Sequence, residues 1–74
     1  MNITYDSVAD CAYIEFLPHA EPVYFLKCIT PTQNNDNTYE MNIDMDNNGH
    51  IIGIEILFAS NAFPQETLRT FHQL

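Results

Sequence analysis

Apolar and polar residues alternate along most of this chain, and the period changes only near its end. In NITY, Ile3 and Tyr5 fall on one side of a short strand and Asn2 and Thr4 on the other. DSVAD follows, where Asp6 and Ser7 are turn formers that can bond their own backbone. CAYIEFL then reads as a second strand, with Ala12, Ile14 and Phe16 sharing a face against Tyr13, Glu15 and Leu17. The short spacing predicts a hairpin between the two. Pro18 and Pro22 make LPHAEP a connector. The segment VYFLKCI (23–29) is apolar on both sides, since Val23, Phe25 and Ile29 alternate with Tyr24, Leu26 and Cys28. A strand of that kind needs cover on both faces. TPTQNNDNT reads as a polar loop.

The cleanest alternation comes next. In YEMNIDM, Tyr39, Met41, Ile43 and Met45 face one way and Glu40, Asn42 and Asp44 the other. After DNNG, HIIGIEILFA carries Ile52, Ile54 and Ile56 in alternation. SNAFPQETLRTFHQL changes to helical spacing. Pro64 suits a first turn, Glu66 suits its positive end, and Leu68, Phe71 and Leu74 form a stripe. The pattern predicts one α+β domain over residues 1–74: a small, mostly antiparallel sheet of about five strands, with one C-terminal helix packed on it.

A chain of 74 residues buries only about 60% of the surface its unfolded form exposes. Small domains offset so thin a core with disulfides, metals or self-association. MNITYD has neither the charged flank nor the apolar run of a secretory leader. Cys11 and Cys28 are therefore expected as small core residues rather than a disulfide, and the protein as cytoplasmic. His19, His50 and His72 have no ligand spacing among them. No apolar run approaches the roughly 18 residues of a membrane span. Self-association remains, and the two-sided strand at 23–29 points to a homodimer formed through it.

Charge is the extreme feature. Ten Asp and Glu stand against Lys27 and Arg69, a formal net charge of −8. Such a chain repels phosphate backbones and anionic membranes, so neither nucleic acid nor membrane is an expected partner. A basic protein or a cation is favoured by the long-range field. Acidity also serves plain solubility.

One stretch spells a calcium loop. DMDNNGHIIGIE fits the calcium-hand pattern, with Asp44, Asp46 and Asn48 as early ligands, Gly49 at the sharp turn and Glu55 at the bidentate position. A calcium hand needs a helix on each side, whereas both flanks here alternate as strands and the second is rich in Ile. A two-residue turn at Asn48 and Gly49 sets Met45 opposite Ile52, Ile43 opposite Ile54 and Met41 opposite Ile56, all on one face. Asp44 then opposes Gly53, and Asn42 opposes Glu55. At about 3.4 Å per residue, Glu55 lies too far along the ladder to close a cage at the turn. A hairpin is the expected structure. Glu40, Asp44, Asp46 and Glu55 remain as a weak, unselective cation surface.

Other chemistry is sparse. Asp6 and Asp10 flank the first turn; paired carboxylates can share a proton, but Asp in a turn is more often a backbone cap. No spacing pairs Cys11 or Cys28 with a histidine, and Gly49 and Gly53 make no phosphate loop.

The residues resemble a known family. Ile3, Tyr5, Asp6, Ala9, Asp10, Tyr13 and Ile14 match the I-x-Y-D-x-x-A-D-x-x-Y-I opening of domain-of-unknown-function family 2283, whose members are mostly bacterial. Gly49, Gly53, Ile54, Glu55, Ile56 and Leu57 match its acidic turn and G-x-x-x-G-I-E-I-L block, and Ala59, Ser60 and the helix begun by Pro64 its ending. Residues 23–29 and the Asn-rich loop depart from it. The resemblance implies a small sheet with a C-terminal helix, reads the calcium spelling as a signature of fold, and brings no activity or cofactor.

The sequence therefore points to a non-catalytic acidic binding module, an inhibitor or antitoxin-like partner of a basic protein, with Asp6, Asp10, Glu40, Asp44, Asp46 and Glu55 as its surface. The alternatives are a divalent-cation binder on the acidic strand face, or a small hydrolase using Asp6 and Asp10 or a cysteine. The hydrolase needs a concave site that one thin sheet is ill suited to supply.

Overall fold

Each alternating segment becomes a strand in the computed structural model, which describes residues 1–17, 21–30 and 38–74, with the backbone alone at 27–30. The strands are β1 (Asn2–Asp6), β2 (Cys11–Glu15), β3 (Tyr24–Thr30), β4 (Tyr39–Met45), β5 (Ile51–Leu57) and β6 (His72–Gln73). Two short helices, α1 (Ala59–Ala62) and α2 (Gln65–Leu68), lie between β5 and β6. The expected connector at Pro18, with His19, and most of the Asn-rich loop lie outside the described residues, as does the side chain of Cys28.

The strands form one mixed sheet in the order β3-β4-β5-β2-β1-β6. Neighbours are antiparallel except β1 and β6, which run parallel. The predicted first hairpin forms, with Ile3 opposite Ile14 and Tyr5 opposite Ala12. One face of the sheet carries the core: Tyr5, Ala12 and Ile56 are buried against Ala59 of α1 and Leu68 of α2. Ile14, Ile54, Met41 and Tyr39 pack around them, as do Phe63 and Phe71, whose rings meet edge to face at 5.4 Å.

The α+β class is as expected, but the end of the chain departs from the single helix predicted there. Phe58 leaves β5 in the left-handed conformation (φ 59°, ψ 48°) and starts α1. Pro64, at φ −60°, then starts α2. Past Leu68 the chain turns, and the Gln73 side-chain amide donates to the carbonyls of Leu68 and Phe71, both at 2.8 Å. These carbonyls at the helix end are thereby satisfied locally. The Leu74 N–H bonds the Tyr5 carbonyl at 2.9 Å. Leu74 consequently stays exposed instead of extending the stripe of Leu68 and Phe71.

The second hairpin differs from expectation at its turn and agrees beyond it. Met41 faces Ile56, Asn42 faces Glu55, Ile43 faces Ile54 and Asp44 faces Gly53, as predicted. Met45, however, pairs with Ile51. The loop is a residue longer than a two-residue turn: the Asp46 N–H bonds the His50 carbonyl, the Gly49 N–H bonds the Asp46 carbonyl, and Gly49 sits at φ 81°. This is a type I turn closed by a left-handed glycine. Asp46 selects it, because its Oδ1 accepts from the N–H groups of both Asn48 and His50 at 2.9 Å. The longer loop displaces the ladder by one residue, and a bulge at Ile52 restores it. Without that bulge Glu55 would oppose Met41 on the core face.

Candidate functional site

Two carboxylates of the first turn do different work. Asp6 caps its own turn, its Oδ1 accepting from the N–H groups of Val8 (3.0 Å) and Ala9 (3.2 Å). Asp10, at φ 55°, serves another element. Its carbonyl accepts the Ala59 N–H at 2.9 Å and its Oδ1 the Ser60 N–H at 2.9 Å. The Ser60 hydroxyl donates to Oδ2 at 2.6 Å and the Tyr5 hydroxyl to Oδ1 at 2.8 Å. The first turn of α1 is thus capped by the residue that precedes β2, the strand paired with β5. Partial burial pushes the Asp10 carboxyl up, but the bonds from Ser60 and Tyr5 outweigh it and leave Asp10 below its ordinary range. The Tyr5 hydroxyl is pushed up, first by that bond to Asp10 and then by burial. Asp10 is held as an anion inside a cap, so sharing a proton with Asp6 is not what this geometry provides.

Of the remaining acidic candidates, Glu40, Asp44 and Glu55 lie on the face opposite the core. Pairing aligns Asn2, Glu15, Gly53, Asp44 and Phe25 in one row, and Thr4, Tyr13, Glu55, Asn42 and Lys27 in the next. Tyr13 spans the two rows. Its ring lies over Gly53, and its hydroxyl donates to Asp44 Oδ2 at 3.0 Å. A side chain at Gly53 would collide with that ring, so the glycine is a matter of space. Burial, then the bond to Asp44 and the nearby charges of Asp44, Glu15 and Glu55, push the Tyr13 hydroxyl up to about 12. Asn42 Nδ2 donates to Glu55 Oε1 at 3.0 Å.

The sheet brings Glu40 and Asp44 onto this face with Glu55 on the neighbouring strand, while Asp46 stands apart in the hairpin loop. The His50 N–H foremost, with that of Asn48, holds the Asp46 carboxyl below its usual range. Among the described residues no group of three or more His, Cys, Asp or Glu side chains converges as metal ligands would. Cys11 is a free, half-buried thiol in the row of Asp6 and Leu57, away from the core face where it was expected. Burial foremost, then the charges of Glu55, Asp10 and Asp6, push the thiol up and keep it protonated, unlike an activated nucleophile.

The sequence pattern flagged strand β3 as two-sided but did not say that it would lie uncovered. The strand ends the sheet, and Val23, Tyr24, Phe25 and Leu26 are 53%, 54%, 70% and 55% exposed. These residues alternate between the faces, so the exposure is not confined to one. Among the described residues no helix is long and apolar enough to cross a membrane.

The model of one protein family, "Protein of unknown function (DUF2283)", matches residues 2–60. No curated protein and no solved structure matches the chain.

Proposed function

The chain belongs to the DUF2283 family, and we propose that it is a non-catalytic, acidic binding module whose partner is a small basic protein, in the manner of an inhibitor or antitoxin. The observation that carries this reading is the edge strand β3 with the residue before it, where four consecutive apolar residues, Val23 to Leu26, are more than half exposed. Contiguous exposed apolar surface of this kind marks interaction sites. The net charge of −8 supplies the sign of the partner. Asp6, Asp10 and Asp46 accept backbone N–H bonds, which suits a structural rather than a catalytic use of those carboxylates.

The experiment is affinity capture from source-cell extract at low salt, followed by a salt gradient and mass spectrometry. A stoichiometric small basic protein released at moderate salt is the expected result. A column that retains nothing at low salt, or only proteins insensitive to salt, contradicts the reading.

A further inference from the structure

We infer that β3 is a docking edge that takes up an extended segment of the partner as an added strand, with a basic residue of that segment placed opposite Phe25. The inference rests on the proposal that this chain binds a basic protein. One side of the β3 main chain pairs with β4, and the other side faces away from the sheet. Edges of this kind are normally blunted by charge, proline or a covering loop. From Val23 to Leu26 this edge has only exposed apolar side chains.

Register defines what the added strand must look like. On the core face, Tyr24 lies opposite Met45 and Leu26 opposite Ile43, so an incoming strand meets an apolar row there. On the other face, Phe25 lies opposite Asp44. Strands are spaced about 4.8 Å apart, which puts an added strand about 10 Å from β4. An arginine laid over the exposed Phe25 ring spans that gap towards the Asp44 carboxylate, gaining a cation–π contact on the way. The occupant is therefore a strand that alternates apolar and basic residues, bound by backbone pairing with side-chain selection on both faces. A second copy fits less well, since two chains of −8 repel each other.

The test uses an end-blocked synthetic peptide of alternating valine and arginine, with two controls: glutamate for arginine, and a central proline. Binding is followed at low salt by calorimetry and by amide hydrogen exchange. The valine–arginine peptide is expected to bind, to slow exchange across Tyr24–Thr30, and to lose affinity in both controls. Phe25→Ser, at an exposed position, and Asp44→Asn should each weaken it by about fivefold or more. Binding that leaves β3 exchange unchanged overturns the edge assignment while basic-segment binding stands. If no peptide binds but extract capture yields a basic protein, the edge assignment falls and the parent reading survives. If both fail, both fall. A protein that sediments alone as a dimer, with β3 amides already protected, gives the edge to a second copy and overturns the inference.

Discussion

Ser60 grips Asp10 twice across 50 residues of sequence, its hydroxyl donating to one carboxylate oxygen at 2.6 Å and its N–H to the other at 2.9 Å. The pair fastens the first hairpin to the first helix. Tyr5 adds a third bond to the same carboxylate. Asp10→Ala should cost about 2–4 kcal/mol, because charge-assisted bonds are lost and the Ser60 N–H is left without its partner, and Ser60→Ala about 1–2 kcal/mol, because only the hydroxyl bond is lost. Small domains hold only about 5 kcal/mol or a little more, so urea melts should find Asp10→Ala close to unfolding. An Asp10→Ala variant as stable as the parent would remove the cap from this account.

Acid should weaken the protein through the same residue. The folded-state carboxyl of Asp10 is held below its ordinary value of 3.8. Its contribution is therefore present above that value and is lost as pH falls through the lower, folded one. Thermal melts should show stability dropping below about pH 4, with a shallower drop in Asp10→Asn. Equal slopes in the two proteins would count against the assignment.

Alkali acts in the opposite sense on the tyrosines. Tyr13 is pushed up to about 12 and Tyr5 is raised as well. A raised tyrosine favours the folded state below the unfolded value of about 10, and that advantage is lost as pH rises through the folded one. Stability should therefore fall from about pH 10 upward, and Tyr13→Phe should flatten the fall. Absorbance titration of phenolate in the folded protein checks the same point independently.

Gly53 holds room for the Tyr13 ring. Gly53→Ala should displace the ring, break its bond to Asp44 and cost about 1–3 kcal/mol. In a Tyr13→Leu background the same change should cost much less, since the two residues are coupled by contact. A cost that is the same in both backgrounds would locate the problem in the strand backbone instead.

Phe58 occupies left-handed backbone space that only glycine, asparagine and aspartate enter readily. Phe58→Asn should therefore be more stable than Phe58→Val by about 1–2 kcal/mol, although valine keeps more apolar surface. Chemical denaturation of the two variants decides it. The reverse order would mean that apolar burial outweighs backbone strain at this position.

The sheet was legible in the sequence because alternation specifies a face, and a one-residue slip is heavily penalised wherever one face is buried. That is why the pairs from Met41–Ile56 to Asp44–Gly53 agree with the pattern. The bulge at Ile52 was not legible, since it arises from Asp46 choosing a longer loop, and the two offsets cancel further along. Ile52 stays buried through it, at 3% exposure. The two helices and β6 were hidden for a related reason. Phe58 gives no propensity signal for left-handed backbone, and β6 is held by bonds from Gln73 and Leu74 rather than by its own pattern. For the candidate site, the reading of Asp6 as a turn cap needed only its neighbours. The use of Asp10 needed Ser60, and no local rule connects residues so far apart.

The long reach from Asp10 to Ser60 also affects how fast the molecule assembles. Closing a loop of that length carries an entropic cost that only later contacts offset, and sheets joined by distant pairings fold slowly, over milliseconds to seconds. During that interval the first helix waits without its cap, and the chain is most open to the wrong neighbour. Crowding by identical chains during synthesis should therefore lower its yield before it alters its equilibrium stability.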